Sequence, residues 1–443
     1  LIEKLNMKKA DIEAQLKLLM EYWVEEKQKE ERSSLTKVRY AGPELGKEEY
    51  SSILDALFND WWSGGKYTYN SEKKLADISS RNYGLLTNSG SSSNLLIMAA
   101  AKELYFKDGD KILTLSCGFP TTVNPIIQAN LIPVFVDIDL ETLNLSPEVL
   151  QNAINKNPDI KGIFVAHTLG FKSKIKEILD IARSNNLQVF FDSCDAYGTT
   201  YNGEPIQSYG KAASFSFYVA HHITMGEGGG IVTDDNDLHI TMRSLRNWGR
   251  YCSSPNCCIR SVNPNLFCPA TKLTKDSELP SDYMVNYQYE WLGYNLKPLE
   301  IQSAMLFHQM DKISNFSNIR RKNYRMLHNY MKNTKVNFKL WDIDEETSPF
   351  SFPFLIPENC KFKRKHLIDH LKKDEIECRV LFGGNLMKHP AYSKKKHLWQ
   401  SFGTHDNSDI ILNNCVMLGV SQINTEEHIQ KVITSIDDFI KKW

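Results

Sequence analysis

An α/β fold, with a large and mainly parallel sheet and a smaller C-terminal α/β unit, is what the sequence predicts. Two observations carry this expectation. Between about residues 84 and 233, short continuous apolar runs alternate with helical segments, the pattern of strands buried on both faces and joined by crossover helices. Beyond about residue 333 a second set of patterns begins, with a strand in "FSFPFLIP" (350–357) and a helix in "TEEHIQKVITSIDDFIKKW" (425–443). At 443 residues the chain is too long for one small core. It is expected to divide into a large unit, 1–332, and a small one, 333–443.

Taken in order, residues 3–32 carry helical periodicity with many i,i+4 charge pairs, as in "DIEAQLKLLMEYWVEEKQKEE", and read as an N-terminal helix. The strand-like runs follow: "KILTLSC" (111–117), "IPVFVDI" (132–138), "KGIFVAH" (161–167), "LQVFFDS" (187–193), "ASFSFYV" (213–219) and "GGIVTD" (229–234), with a helix over 173–184 among them. Ligands of such a sheet gather at the carboxyl ends of its strands. Residues 251–285 break the rhythm with Pro255, Pro264, Pro269, Pro280 and four cysteines, so a loop with a function is expected there. The stretch 298–332, "PLEIQSAMLFHQMDKISNFSNIRRKNYRMLHNYMK", reads as one or two long helices.

The totals exclude several classes. Lys+Arg and Asp+Glu are equal at 53 each, so no global field draws the chain to nucleic acid or to a membrane surface. No apolar run approaches the roughly 18–20 residues of a membrane span. The N-terminal "LIEKLNMKKADIEAQLKLLMEYW" is charged throughout and has no signal-type apolar core. Nine cysteines, an odd number bunched at 252–268, argue for reduced thiols with a local purpose rather than a disulfide framework. The cytoplasm is the expected compartment.

Three stretches carry chemistry. In "TNSGSSSNLLIMAAAKEL" (87–104) a glycine and serine cluster opens directly into an apolar helix. Free backbone N–H groups and hydroxyls at a helix start suit a phosphate, and a plain serine N-cap is the alternative. In "VFFDSCDAYG" (189–198) Asp192 ends a buried strand, where a carboxylate can pair with a protonated ring nitrogen or cap a helix. In "SFSFYVAHHITMGEGGG" (214–230) the glycines permit a tight turn beneath a ligand. His221 and His222 face opposite ways on an extended segment, so one of them is expected to face a site. The alternative for either is a satisfied core imidazole.

In their order and spacing, these stretches resemble the sugar aminotransferase and dehydratase family, vitamin B6-dependent enzymes that act on nucleotide-linked keto-sugars. "GFPTTVNPIIQANLIPVFVDID" (118–139), "AHTLG" (166–170) and "WLGYNLKPLEIQSAMLFHQMDKI" (291–313) add to the likeness, which runs from about residue 40 to the C-terminus. The resemblance implies the aspartate aminotransferase fold. It also implies that Gly90, Ser91 and Ser92 hold the cofactor phosphate together with Ser216, and that Phe119 stacks on the pyridine ring. Asp192 would pair with the ring nitrogen, and Asp195 would lie near the ring hydroxyl. Asn295, in "GYN", resembles an asparagine that reaches the phosphate from the neighbouring subunit, which implies a homodimer.

One departure changes the implied reaction. The family's aminotransferases carry a lysine where His221 stands, and that lysine ties the cofactor covalently to the protein. Imidazole forms no such bond, so transamination is not expected. The histidine version, together with "VLFGGNLMKHPAY" (380–392), resembles the sugar 3-dehydratases. These use pyridoxamine phosphate to remove the C3 hydroxyl of a nucleotide-linked 4-keto-6-deoxyhexose, with His221 as the base. One branch has no metal and loses ammonia. The other, of the ascarylose and related 3,6-dideoxyhexose pathways, carries a [2Fe–2S] cluster fed by a flavin iron–sulfur reductase. Its ligands are a cysteine just after the ring-pairing aspartate and three more in a later loop. Here Cys194, Cys252, Cys257 or Cys258, and Cys268 can supply that set, although Ser254 stands where the next ligand after Cys252 is expected. Four thiolates satisfy cluster chemistry. The alternatives are zinc, for which a paired C-x₂-C framework is absent, unliganded thiols, and a non-catalytic protein that keeps the fold.

Overall fold

The computed structural model describes residues 8–33, 37–251 and 278–443. Cys252, Cys257, Cys258 and Cys268 therefore lie outside the described residues. Helix α1 (Lys9–Ser33) lies against α2 (Lys47–Phe58), with the Trp23 ring edge-on to Tyr50 at 5.5 Å. After α3 (Lys66–Ile78) the alternation begins: β1 (Tyr83–Thr87), α4 (Gly90–Tyr105), β2 (Lys111–Leu115), α5 (Pro120–Gln128), β3 (Ile132–Val136), α6 (Pro147–Lys156), β4 (Ile160–Ala166), α7 (Ile175–Ser184) and β5 (Gln188–Asp192). A short hairpin of β6 (Thr200–Tyr201) and β7 (Glu204–Pro205) precedes β8 (Ala212–Ser216), β9 (Gly229–Thr233) and α8 (Asn236–Arg246). The stretch 298–332 becomes two helices, α9 (Glu300–Gln309) and α10 (Ile313–Lys332), joined by one 3₁₀ turn.

All six apolar runs form strands of one eight-stranded sheet, in the order β1-β9-β8-β5-β4-β2-β3-β12, where β12 is Gln400–Ser401. From β8 to β12 every neighbouring pair is parallel, while β9 runs antiparallel to both β8 and β1. This is the mainly parallel α/β sheet expected from the sequence. The two edge strands escaped it: β1 contains a glycine, and β12 is a polar pair too short to show a period. Strand alternation divides the apolar side chains between two layers. Ile112, Phe164 and Phe190 pack with α4 and α8 on one face, and Leu113, Val165 and Phe191 pack on the other.

Residues 333–443 build a three-stranded antiparallel sheet, β10-β13-β11, from β10 (Phe352–Leu355), β11 (Cys378–Arg379) and β13 (Cys415–Leu418). Helices α11 (Arg364–Lys373) and α14 (Glu426–Lys441) pack together beside it, and α14 also meets α10. Phe352, Val416, Ile429 and Ile436 belong to the same continuous apolar core as Leu113, Val134 and Phe215 of the large sheet. The β12 strand is contributed to the large sheet by this stretch. Two short helices, α12 (Pro390–Ser393) and α13 (Asp406–Asn414), complete it. No helix among the described residues is long and apolar enough to cross a membrane.

Glu300, at the start of α9 and only 4% exposed, caps α3 from across the fold. Its carboxylate accepts from Gly65 N at 2.7 Å, Thr68 N at 3.1 Å and Thr68 Oγ1 at 2.7 Å, and also from Tyr67 N. Those amides would otherwise be unpaired at a helix start. Two residues on, Gln302 Nε2 donates to Glu227 O at 2.8 Å, so the same helix end braces the glycine-rich turn. Glu300→Ala is expected to cost about 3 kcal/mol, because a charged acceptor is lost and several buried donors are orphaned. The check is the shift of the urea unfolding midpoint, with Glu300→Gln falling between the variant and the native chain.

Candidate active site

The motif-bearing segments meet along one edge of the large sheet. Thr87, Asp192 and Ser216 end β1, β5 and β8, Gly229 begins β9, and the segment after Leu115 leaves from the same edge. Antiparallel pairing of β8 with β9 requires the chain to reverse over 217–228, which is why the glycine cluster and the two histidines lie there rather than inside a strand.

The phosphate-type end is built by close backbone approach. Ser89 caps α4, its Oγ accepting from Ser92 N at 3.0 Å, so the N-cap reading of this serine cluster holds for Ser89. Gly90 and Ser91 follow as the first residues of a 16-residue helix, whose leading N–H groups have no partner within the helix. A side chain on Gly90 would bring a Cβ to 2.6 Å from Ser216 Cβ, and one on Gly229 would lie 2.4 Å from Ser89 O. Glycine at both points lets β8, β9 and the helix start approach closely, so that backbone N–H groups and serine hydroxyls gather in a cradle whose polarity suits a phosphate. Gly90 and Ser216 meet there, Ser92 is bonded to the capping Ser89, and Ser91 is exposed.

Asp192 sits beside this cradle, 6% exposed. Its Oδ2 accepts from Asn94 Nδ2 and from Thr122 Oγ1, both at 2.7 Å, and its Oδ1 accepts from Cys194 N at 3.1 Å. Ser214 Oγ donates to Asn94 Oδ1 at 2.6 Å and completes the frame. Asn94, Thr122 and Ser214 were not singled out by sequence reasoning. Asn94 was within reach, since it lies one helical turn after the cradle on the helix face turned to the sheet. Phe119 is tied to the frame through Thr122, whose N donates to Phe119 O at 3.2 Å. Phe119 itself is 51% exposed.

The two histidines do separate, but on a turn rather than on the extended segment expected from the sequence: His221 N donates to Tyr218 O at 2.9 Å. His222 is fully buried, with Nε2 3.0 Å from Ser348 O, and is the core imidazole. His221 faces the site. Its Nδ1 has no hydrogen-bond partner and stands 3.8 Å from Asp195 Oδ1, and its ring lies 5.1 Å from that of Phe350. Arg320, on α10 and completely buried, reaches the carbonyl of His221 at 3.3 Å and that of Phe350 at 3.0 Å. Burial pushes the His221 imidazole down to about 4, with Asp192 pulling it back and Arg320 adding to the depression. Burial and the Asp192 charge raise the Asp195 carboxyl to about 8. At neutral pH the pair is therefore a neutral imidazole, able to accept a proton, facing a protonated carboxyl.

Cys194 is a free thiol two residues beyond Asp192, 4.0 Å from Ser214 Oγ, and burial and the Asp192 charge push it well above its ordinary value. Among the described residues no group of three or more His, Cys, Asp or Glu side chains is arranged to hold a metal ion; its four prospective partners fall outside them. Asn295 is exposed, and the next residue, Leu296, accepts from Asn88 N at 2.9 Å. That bond brings the "GYN" segment to the loop just before the cradle.

A family profile described as the DegT/DnrJ/EryC1/StrS aminotransferase family matches residues 43–437. The chain belongs to this family. Among its relatives, the lipopolysaccharide biosynthesis protein RfbH of Salmonella typhimurium is 34% identical over 90% of this chain and 91% of its own length. The dTDP-4-dehydro-2,6-dideoxy-D-glucose 3-dehydratase of Saccharopolyspora spinosa is 33% identical over 92% of this chain and 87% of its own. In solved structures, Escherichia coli GDP-4-keto-6-deoxy-D-mannose 3-dehydratase with bound hydrated pyridoxal phosphate superposes with a TM-score of 0.78 at 27% identity, covering 90% of this chain and 99% of that one. The family's sugar dehydratases and aminotransferases share the pyridoxal-phosphate fold seen here, a mostly parallel sheet with α/β layers.

The cradle and the donor-framed carboxylate fit pyridoxal or pyridoxamine phosphate, and the unpartnered His221 Nδ1 marks a polar group beside them. A third imidazole, His167 at the end of β4, is stacked on Phe191 with centroids 4.4 Å apart, has neither ring nitrogen hydrogen-bonded, and is pushed by burial down to about 3. His167, His221 and His222 are all depressed below 6.5. The unfolded chain therefore takes up protons first as the pH falls, and the fold loses stability from about 6.5 downward. Asp195 has the opposite sign, favouring the folded state as the pH falls from about 8 toward its ordinary 3.8. The urea midpoint of the cofactor-free protein is expected to drop between pH 6.5 and 4. His167→Phe, which keeps the ring stack, should make that drop shallower, and an unchanged slope would clear His167 as a contributor.

Proposed function

We propose that this protein is a pyridoxamine-phosphate-dependent 3-dehydratase of a nucleotide-linked 4-keto-6-deoxyhexose. The single observation that carries the reading is His221. A neutral imidazole that faces the site occupies the position where the family's aminotransferases resemble one another in having a lysine. A base is available there, and a covalent tether is not. The named activities of relatives, among them a dTDP-sugar and two GDP-sugar 3-dehydratases, support the same reaction class.

In this reading Gly90, Ser91, Ser92 and Ser216 bind the phosphate through backbone N–H and hydroxyl groups, and Asp192, framed by Asn94 and Thr122, orients the ring through its nitrogen. Phe119 covers one ring face and keeps water from it. Asp195 lies toward the ring hydroxyl and against His221 Nδ1, which leaves Nε2 as the atom that takes and returns the C4′ proton. Bound pyridoxamine phosphate supplies the electron sink that lets the C3 hydroxyl leave. Asn295 is read as reaching the phosphate of a second subunit. Exposed Trp61, Trp62, Leu292 and Leu299 near its segment support a homodimer.

Within this class, we favour the branch that carries a [2Fe–2S] cluster on Cys194, Cys252, Cys257 or Cys258, and Cys268, with electrons from a flavin iron–sulfur reductase and a 3,6-dideoxy-4-hexulose as product. The four cysteines within 252–268 support it, because an otherwise cysteine-poor chain has no packing need to bunch them. The name of the Salmonella relative supports a place in lipopolysaccharide biosynthesis, and a cytoplasmic location is consistent with that. The reading in which ammonia is lost without a metal is the second, and Ser254, standing where a cluster ligand is expected, supports it.

Two measurements test this. His221→Asn is expected to abolish proton exchange at C4′ while pyridoxal phosphate binding stays within about twofold, and persistent exchange would assign the base elsewhere. Protein purified without oxygen is expected to contain two irons and two acid-labile sulfides per chain. Colourless protein that dehydrates the sugar without a reductase would move it to the metal-free branch.

A further inference from the structure

Phe382 stands in a conformation that its residue type disfavours. Its φ is +41°, in the left-handed region where a bulky side chain is an outlier. The turn around it is tight: Gly384 also has a positive φ, of +54°, and Gly384 N donates to Leu381 O at 2.9 Å. Three backbone contacts pin this turn to the segment that carries Phe119. Gly383 N donates to Gly118 O at 3.1 Å, Leu386 N donates to Ser116 O at 2.8 Å, and Asn385 forms a bridge with Cys117.

The strained position delivers one ring to the site. Phe382 meets Phe119 edge-on, with centroids 6.0 Å apart, and lies 6.4 Å from Phe350, which in turn is 5.1 Å from His221. It is half-buried, and the ring it props is 51% exposed. Phe382 also packs against the main apolar core; a strained phenylalanine that at the same time braces an exposed ring fits the pattern of strain persisting at a functional site. We infer that Phe382 is a positioning residue, contributed by the C-terminal stretch, that fixes the angle of the Phe119 ring against the cofactor and closes the aromatic wall running to His221. The inference rests on the reading of Phe119 as the stacking ring.

The test titrates cofactor-free protein with pyridoxal phosphate, read by absorbance and fluorescence quenching. Phe382→Ala is expected to weaken binding about two- to tenfold, the size of a lost aromatic pair, and Phe382→Tyr to keep native affinity. Phe382→Gly separates the role from stability. Without a Cβ it relieves the left-handed strain, so it is expected to melt above Phe382→Ala yet bind no more tightly. Native affinity in Phe382→Ala, or affinity in Phe382→Gly that recovers along with its melting temperature, would overturn the inference. Should the alanine variant not fold, the glycine and tyrosine variants decide by the same comparison. Failure of the unaltered protein to bind pyridoxal phosphate would overturn the cofactor reading itself, a result distinct from equal binding by the native chain and its Phe382 variants.

Discussion

Asp192 carries a buried carboxylate whose oxygens are claimed by several separate segments of chain. Asn94 reaches it from helix α4, Thr122 from the loop and helix that follow β2, and the Cys194 amide from its own turn, while Ser214 on β8 locks Asn94 in place. A carboxylate at 6% exposure is tolerable only with such a set of donors. The same bonds that meet this need hold the helix start, the Phe119 loop and the end of β8 in one arrangement. The cradle of Gly90, Ser216 and Gly229, the placement of Phe119 and the position of Cys194 all follow from where Asp192 is held.

From this point a second feature grows, the unusual protonation of the neighbouring groups. Burial in the first place, and the nearby Asp192 charge in the second, raise the Asp195 carboxyl to about 8. His221 is lowered to about 4 by the same burial, with Arg320 fixed beneath its carbonyl. The result is a base that is neutral over the ordinary pH range and an acid that is protonated beside it. Environment rather than residue type sets their behaviour.

The C-terminal stretch is part of the site rather than an appendage. Its core is continuous with that of the large sheet, it lends β12 to the sheet edge, and its 382–386 turn is bonded to the backbone on either side of Cys117. Ser116 Oγ is 2.8 Å from both Ser408 Oγ and His405 Nδ1, and Asp137 Oδ1 accepts from the Ser408 amide at 2.9 Å. These polar ties cross between the large sheet and the C-terminal stretch and hold the two in a single register.

Strand period, crossover helices and the three glycine- or acid-bearing motifs were legible in the linear chain, because each depends on residues within a few positions of one another. Their order was enough to suggest the family, and the histidine in place of lysine was visible without any structure. What only the tertiary structure decided are relations between distant residues. The resemblance already pointed to His221; that His222 is instead buried against Ser348 O depends on how the 217–228 turn folds back between β8 and β9. The frame around Asp192 joins residues 94, 122 and 214, whose separations in sequence carry no periodic signal. The shifted protonation of Asp195 and His221 is a matter of burial and of charges brought near by the fold. Local pattern can name the groups of this site, but their pairing and their protonation are properties of three-dimensional proximity.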